Sequence, residues 1–231
     1  TRHTLEDIGN PLFVCREILR DVGSQVKSTR FAVQGFGNVG SHAVRLIHDD
    51  GGVVVAVSDV HGGVHNPAGL DVPALFEFAK RSGTVKGFNG GNPCSNDELL
   101  GCDCDVLVPA AMGDSLTRSN AGEVRAKIIV EGANSPCSPE ADVVFDKKGV
   151  LVVPDILANA GGVTVSYFEW VQNLQHVTWD EERVNGELEK VMKDAYERIA
   201  SISRSRKLPL RTSAYVLAIG RVGKATVLRG I

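Results

Sequence analysis

The sequence lacks any hydrophobic run that approaches the roughly 20 residues of a transmembrane helix. It also lacks a strong charge of either sign, because 25 Lys and Arg residues stand against 28 Asp and Glu residues and leave a net charge of -3. A charge this small does not indicate a nucleic acid or an anionic membrane surface as a partner. We therefore expect this chain to bind neither a membrane nor a nucleic acid.

Cysteine is scarce as well, with five scattered residues whose odd number argues against a disulfide framework. Cys102 and Cys104 form a C-D-C pair, but no second Cys or His pair follows at the spacing of zinc ligands. We expect spectator thiols and no bound metal. No secretory signal opens the chain. These features predict a soluble intracellular protein, cytoplasmic, or of the mitochondrial matrix if the source is a eukaryote.

Glycine, in contrast, is in excess. The chain has 25 glycines, where average usage near 7% would give about 16. They follow no collagen-like period, so we expect them to serve local turns. The 43% of hydrophobic residues is enough for a core, and the length corresponds to about one and a half domains. Because Thr1 stands where an initiator Met would be, we expect a processed chain or a piece of a longer one.

Short, nearly continuous apolar runs alternate with helical patterns through most of the sequence. Helices are predicted at 38–48, at 71–80 and after Ser95. Runs that are apolar on both faces are typical of parallel strands covered by helices. The alternation predicts a Rossmann-like, doubly wound α/β fold with a mostly parallel sheet. The predicted strands cover residues 30–34, 53–58, 105–109, 127–131 and 150–154.

From Asn159 onward the pattern is helical only. Residues 180–206 carry apolar side chains at three- and four-residue steps, which form one stripe on a long amphipathic helix. A break at 203–209 precedes another predicted helix at 212–228. We therefore expect a helical C-terminal tail after the α/β domain.

The sharpest motif is GFGNVG at residues 35–40, which follows a predicted strand and opens a predicted helix. Gly35 permits the tight turn, Gly37 lets the backbone approach a pyrophosphate, and Gly40 lets the helix pack closely on the strand. The first N–H groups and the dipole of the helix then favour phosphates.

Asp59 directly follows the next predicted strand and lies 19 residues after Gly40, close to the spacing of about 20 residues expected for the acidic residue of a dinucleotide site. Its carboxylate would accept hydrogen bonds from ribose hydroxyls. It would also repel a 2′-phosphate, which favours NAD over NADP. An alternative is that Asp59 only caps the turn-rich segment that follows it.

Two further turns with small or polar residues follow predicted strands, where ligands bind in doubly wound sheets. Residues 109–113 include Ala110 and Ala111, which suit the close approach of a flat ring. Residues 131–136 include Asn134 as the candidate contact.

A third such turn begins at Pro154 and leads through Asn159 to a glycine pair and a helix. Asn159 could bind a carboxamide. Ser166, one turn into that helix, could face a carboxylate, or it could hydrogen-bond its own helix backbone instead.

Together these motifs resemble the glutamate/leucine/phenylalanine/valine dehydrogenase family over roughly residues 24–230. The similarity is strongest to the C-terminal, NAD-binding half of the glutamate-specific members, whose SYFEWVQN segment other members usually lack. The resemblance rests on FAVQGFGNVG, NPAGLDVPAL, FNGGN, EGAN-P, LANAGGVTVSYFEWVQN and AIGRVGKAT-LRG.

The resemblance implies reversible oxidative deamination of L-glutamate to 2-oxoglutarate and ammonia, with NAD as hydride acceptor and NADP not excluded. It implies that Ser166 binds the side-chain carboxylate of glutamate and that Val163 lines the same pocket. It also implies a homo-oligomer, a hexamer in the family. The expected cofactor contacts are Gly35, Phe36, Gly37, Asn38, Val39, Gly40, Asp59, Ala110, Ala111, Asn134 and Asn159.

Two features depart from the family. Its members are about twice as long, and their catalytic lysine and aspartate lie in an N-terminal substrate domain that no part of this sequence matches. We therefore assign no catalytic residue and expect the isolated chain to be inactive. Thr4 is only a loose match to the family's threonine-glycine-x-glycine turn.

The resemblance also suggests how the chain is divided. We expect a leading helix segment at 1–28, an NAD(P)-binding Rossmann domain at 29–178, and C-terminal helices at 179–231 that pack back toward the substrate domain. Two other functions stay open: a stand-alone nucleotide-binding or regulatory module without turnover, and a dehydrogenase of an apolar amino acid.

Overall fold

A computed structural model describes residues 11–230, which form seven strands and nine helices. Thr4 and the start of segment 1–28 lie outside the described residues. The elements in chain order are α1 (Leu12–Asp21), β1 (Arg30–Gln34), α2 (Asn38–Asp49), β2 (Val53–Asp59), β3 (Gly62–His65), α3 (Val72–Ser82), β4 (Asn92–Cys94), α4 (Asn96–Leu100), β5 (Val106–Pro109), β6 (Ile128–Val130), α5 (Pro139–Lys148), β7 (Leu151–Val153), α6 (Asp155–Ala158), α7 (Gly161–Gln175), α8 (Glu181–Arg206) and α9 (Leu210–Leu228).

The strands form one sheet in the order β4-β3-β2-β1-β5-β6-β7. β1, β2, β5, β6 and β7 are parallel, and β3 and β4 add an antiparallel edge beyond β2. From β1 the chain first builds outward through β2, then returns to the other side of β1 to form β5. The predicted doubly wound, mostly parallel sheet is confirmed, and its topological switch point lies between β1 and β5.

The antiparallel edge corrects the sequence-based expectation of a turn-rich segment after Asp59. β3 pairs with β2 through Asp59 and Gly62, and β4 pairs with β3. These strands have four and three residues and contain glycine and proline, which are depleted in strands. Their local pattern therefore gives no strand signal.

The short helix α5 was not predicted either. Its ends do carry readable signals, because Ser138 accepts a hydrogen bond from the Ala141 amide and Gly149 ends the helix in the left-handed conformation with φ 70°. A serine cap before proline and a terminal glycine are typical helix boundaries. Only Ala141 and Phe145 are buried in this helix, so its apolar pattern is too sparse to stand out.

Two hydrophobic layers cover the faces of the sheet. Phe31 and Val33 of β1 belong to the layer that contains α1 and α8, whereas Ala32 belongs to the layer beneath α4 and α5. This alternation explains why β1 reads as a continuous apolar run. The predicted stripe of α8 is buried in the first layer, where the hydroxyl of Tyr196 donates to Asp21 at 2.8 Å.

The start of helix α9 packs against the core, and its second half is exposed to solvent. Leu210, Ser213 and Ala214 are buried, whereas residues 218–225 are all exposed. None of the helices in the described part of the chain combines the length and the hydropathy needed to cross a bilayer.

Candidate cofactor-binding site

Two adjoining clefts lie beyond the carboxyl ends of the parallel strands. The larger cleft, of about 1420 Å³, is lined by the segments that follow β1, β2 and β5. The smaller cleft, of about 510 Å³, is lined by the segments that follow β5 and β6 and by the start of α7. The four residues from Ala110 to Gly113 line both clefts. The clefts therefore form one trough across the switch point, where doubly wound sheets bind ligands.

The glycine-rich turn has the geometry that its sequence predicts. Gly35 has φ 99°, and a Cβ there would lie 2.8 Å from the carbonyl oxygen of Ala110. A Cβ on Gly40 would overlap the carbonyl oxygen of Gly35. Both positions thus exclude side chains, because a left-handed conformation and a close approach of backbone require glycine.

Gly37 differs from these two glycines, because its φ of -80° is open to any residue. No described atom lies within 4 Å of the position that its Cβ would take. Gly37 lines the larger cleft and is the N-cap of α2, whose first turn no side chain of the described residues caps. The first amides of α2 are therefore available to an anion in the cleft.

The other residues of the turn are placed as follows. Phe36 lines the larger cleft, and Val39 lines the smaller cleft. Asn38, the first residue of α2, is exposed and is not among the described residues that line either cleft. The motif therefore contributes one residue before Gly37 to the larger cleft and one residue after Asn38 to the smaller cleft.

An aromatic and cationic side of the larger cleft was missed by sequence reasoning. Phe36 stacks obliquely on Phe76 of α3, with ring centroids 5.0 Å apart. The guanidinium of Arg45 in α2 lies 5.0 Å from the centroid of the Phe76 ring. All three side chains line the cleft. Phe76 resembles an ordinary core residue in the helical pattern, so the sequence carries no signal for this arrangement.

Asp59 lines the larger cleft at the end of β2, and its carboxylate also binds the loops that contain His61 and Thr84. Its Oδ1 accepts the His61 amide at 2.8 Å, and its Oδ2 accepts the Thr84 hydroxyl at 2.6 Å and the Val85 amide at 2.7 Å. Desolvation raises the pKa of Asp59, but these hydrogen bonds outweigh it and hold the pKa below its ordinary value. Because a carboxylate accepts about four hydrogen bonds, the loop role leaves Oδ1 able to accept one more.

The smaller cleft brings together the two predicted asparagines. The side-chain amide of Asn159 donates to the side-chain oxygen of Asn134 at 2.7 Å, and both residues line the cleft. Gly132 also lines it, and a Cβ there would lie 3.0 Å from the Cβ of Ala110. The turns after β5, β6 and β7 therefore converge at one place, as expected for parallel strands.

Arg211, at the start of α9, contacts three carboxylates that do not line this cleft, and the sequence did not point to it. Its Nη2 lies 2.6 Å from Glu131, its Nε lies 2.6 Å from Asp142, and its Nη1 lies 3.4 Å from Asp155. Burial lowers the pKa of Arg211, but its hydrogen bonds with Glu131 and Asp142 outweigh burial and raise the pKa above its ordinary value. The cation therefore stays charged beside a fully buried glutamate.

The same cluster contains the one arrangement of metal-ligand type found among residues 11–230. Candidate ligand atoms of Glu131, Cys137 and Asp142 lie within 4.8 Å of one another. Burial raises the pKa of the Cys137 thiol, and the charge of Glu131 adds to this effect. The guanidinium of Arg211 already supplies the positive charge that these carboxylates need, so the cluster is explained without a metal ion.

Val163 and Ser166 lie on α7, outside both clefts. Val163 is 71% exposed, and the exposed Ser166 donates its hydroxyl to the carbonyl of Gly162 at 3.1 Å. Gly162 lines the smaller cleft, so Ser166 stands one helical turn beyond its border. The structure therefore shows the alternative in which Ser166 bonds its own helix backbone.

The sequence profile of the Glutamate/Leucine/Phenylalanine/Valine dehydrogenase family matches residues 10–230. The chain belongs to this family. A glutamate dehydrogenase of Thermotoga maritima is 50% identical to the chain over 228 residues, which are 98% of this chain and 55% of the Thermotoga protein. The recognised resemblance is confirmed, and the chain spans about half the length of this curated relative.

Solved structures of relatives give the same result. The hetero-hexameric glutamate dehydrogenase of Thermus thermophilus, in its Leu-bound form, superposes with a TM-score of 0.92 at 32% identity and covers all of this chain and 55% of its own. The glutamate dehydrogenase of Peptoniphilus asaccharolyticus superposes with a TM-score of 0.82 at 32% identity, covering 97% of this chain and 53% of its own.

Proposed function

We propose that this chain binds the nicotinamide dinucleotide of a glutamate dehydrogenase, which interconverts L-glutamate and 2-oxoglutarate with ammonia. The observation that carries the proposal is the continuous trough formed by the two clefts at the switch point. The uncapped start of α2 opens onto the larger cleft beside Gly37, in the arrangement that binds a pyrophosphate. The dinucleotide then lies with adenosine in the larger cleft and nicotinamide in the smaller cleft.

NAD is the cofactor that the larger cleft favours. The charged Asp59 lies where a ribose hydroxyl can donate to its Oδ1, and it repels a 2′-phosphate. Phe36, Phe76 and Arg45 offer an aromatic and cationic side to the adenine. Arg45, His61 and Lys80 also line this cleft, and these groups would favour a phosphate, so NADP stays the alternative cofactor.

For the nicotinamide half, Asn134 and Asn159 supply amide groups that can pair with a carboxamide and a ribose. Ala110 and Ala111 leave room for a flat ring. Val39 lines the same cleft. The chain's part in the reaction is to hold the nicotinamide ring and to exclude water from one of its faces. We assign no catalytic acid or base among the described residues.

For the substrate, Val163 and Ser166 lie on the face of α7 beyond the smaller cleft. A glutamate side-chain carboxylate bound there would accept the hydrogen bond that the Ser166 hydroxyl now donates to the Gly162 carbonyl. Such a charge-assisted hydrogen bond is stronger than the neutral bond to the backbone. The two exposed side chains fit a cleft that closes when a substrate domain packs against this face.

The domain division and the assembly are part of the proposal. Residues 29–178 form the cofactor domain, α8 packs on it, and the second half of α9 extends toward the substrate domain. The exposed second half of α9 supports this arrangement, because its Ile219 and Val222 are 68% and 67% exposed. We expect a homo-oligomer, as the family resemblance implies, with six subunits, the number in the hetero-hexameric Thermus enzyme. Light scattering after size-exclusion chromatography tests this expectation.

Titration of the protein with NADH, NADPH and then L-glutamate tests the proposed function. We expect saturable NADH binding that is tighter than NADPH binding. We also expect glutamate-dependent reduction of NAD by the intact enzyme, meaning this chain together with a substrate domain. NADH binding without turnover in the intact enzyme would instead favour the regulatory module. Failure of the folded protein to bind either nucleotide contradicts the proposal.

Ser166→Ala separates glutamate from an apolar amino acid as substrate. We expect the glutamate KM to rise at least about tenfold, the equivalent of a lost hydrogen bond to a charged group, with the norvaline KM unchanged. Ser205→Ala is the matched control, since Ser205 is an exposed helical serine that also donates to its own helix, to Ile202 at 3.2 Å. If Ser166→Ala leaves glutamate selectivity intact, an apolar substrate is the better assignment.

A further inference from the structure

The turn that carries Asn134 is strained at the next residue, whose backbone amide is bound by a carboxylate. Ser135, the next residue, has φ 46°, in the left-handed region that serine rarely adopts. Its amide donates to Oδ2 of Asp155 at 2.8 Å. Such a conformation persists only where its surroundings hold it. The carbonyl of Ser135 also accepts the Asp114 amide at 2.9 Å, and the Asp155 carboxylate is the one side chain among the described residues that bonds the Ser135 backbone. The placement of Asn134 therefore depends in part on the position of the Asp155 carboxylate.

Asp155 is in turn tied to Glu131, the residue that opens the same turn. The amide of Asp155 donates to Oε2 of Glu131 at 2.7 Å, and Glu131 is fully buried. Two carboxylates thus join the turn after β6 to the segment 154–159, which ends at Asn159. Because each oxygen used here accepts a backbone amide, the carboxylates orient the turns as well as carrying charge.

Arg211 neutralises both of these carboxylates from a different part of the chain. Its guanidinium contacts Glu131 through Oε1 and Asp155 through Oδ1, which leaves the opposite oxygens for the two amides. It also contacts Asp142 at 2.6 Å, which ties α5 to the same point. A planar guanidinium can serve several oxygens in fixed directions, whereas an ammonium group cannot.

We infer that Arg211 is a positioning residue: from α9 it sets the placement of Asn134 and Asn159 and thereby the affinity for the nicotinamide half of the cofactor. The inference rests on the proposed function. Arg211 touches neither cleft, since it is not among the described residues that line them. Its effect passes through Glu131 and Asp155, and it is confined to the smaller cleft.

Comparison of NADH with ADP-ribose tests this inference, because ADP-ribose lacks the nicotinamide. Both ligands are titrated calorimetrically into the wild-type protein and into Arg211→Lys and Arg211→Met. We expect the Kd of NADH to rise by about tenfold or more, equivalent to one lost hydrogen bond, while the Kd of ADP-ribose stays within about twofold. The change in NADH fluorescence on binding should shrink as well, because it reports the surroundings of the nicotinamide ring.

Arg16→Lys is the matched control, since Arg16 also makes a forked pair, with Asp50 at 2.6 and 2.8 Å, and neither residue lines a cleft. We expect it to leave both ligands unchanged. Arg211→Lys keeps a cation beside Glu131. If circular dichroism shows that Arg211→Met does not fold, the Arg211→Lys variant still tests the inference.

Equal weakening of NADH and ADP-ribose by a folded Arg211 variant overturns the inference, and so does NADH binding at the wild-type affinity. A wild-type protein that binds neither ligand overturns the proposed function, and the inference falls with it. The wild-type titrations therefore distinguish the failure of the proposed function from the failure of the inference alone.

Discussion

The larger cleft is shaped by backbone, whereas the smaller cleft is shaped by charged side chains. At the larger cleft, Gly35 and Gly40 bring the first turn of α2 against the strand ends with no space for a Cβ. At the smaller cleft, Glu131, Asp155 and Arg211 hold two asparagine-bearing turns together. Steric exclusion tolerates changes of pH and salt, and ion pairs respond to both. We therefore expect mutations at the larger cleft and mutations at the smaller cleft to change stability and binding in different ways.

The largest effect is expected from Arg211→Met, which leaves the buried Glu131 without its cation. Removing one partner of a buried ion pair costs about 3–5 kcal/mol, and the loss should appear as a lower urea midpoint.

Arg16→Met is the control for this prediction, because its pair with Asp50 is more exposed, at 38% and 28% of the two side chains. We expect a loss near 1 kcal/mol or less. Equal losses in the two variants would mean that the cluster around Arg211 is no stronger than a surface ion pair.

The next effect is expected from Gly40→Ala at the larger cleft. The added methyl group overlaps the Gly35 carbonyl, and overpacking of this kind costs about 1–3 kcal/mol. Gly186→Ala is the control, since Gly186 also lies inside a helix but has no described atom within 4 Å of the new Cβ. That control should gain about 0.5–1 kcal/mol. Thermal unfolding of both variants measures the difference, and a neutral Gly40→Ala would refute the close packing.

Gly37→Ala should separate binding from stability at the same turn. Its backbone conformation and the open space beside it accept a methyl group, so the free energy of unfolding should change by no more than about 0.5 kcal/mol. The methyl group occupies space that the pyrophosphate needs, so NADH and ADP-ribose should both bind about tenfold more weakly, a loss of about 1.4 kcal/mol. Unchanged affinity for both ligands would place the phosphates elsewhere.

An effect smaller than the binding loss of Gly37→Ala is expected from Asp59→Asn. The pKa of Asp59 is below its ordinary value, so the carboxylate stabilises the fold above the unfolded pKa of about 4, and this contribution is lost as the pH falls through the folded pKa. Because Asp59 is partly exposed, we expect no more than about 1 kcal/mol. Urea midpoints of the two proteins should differ at pH 7, and the difference should shrink as the pH falls through the folded pKa of Asp59. The variant should also weaken NADH binding more than glutamate binding.

The sequence was informative where the structural requirement is local. Gly35, Gly37 and Gly40 act within six residues of one another, so their spacing alone predicts the turn. Asp59 was predicted at the end of β2, but its partner Thr84 stands 25 residues away. No spacing rule connects those two residues, and its loop role stayed only an alternative.

The part that could not be predicted depends on distant segments. Arg211 is 80 residues from Glu131 and 56 residues from Asp155. A single arginine before a helical stripe has no local signature of a buried cluster. The strands β3 and β4 were missed for a related reason, since their stability comes from pairing with β2 and with each other rather than from their own residues.

A crystal structure of the protein with bound NADH tests the central claim most directly. We predict that the adenosine lies beside Asp59 in the larger cleft, that the pyrophosphate lies over Gly37 at the start of α2, and that the nicotinamide lies beside Asn134 and Asn159. Electron density for NADH in the reverse orientation, or outside the trough, would contradict the account.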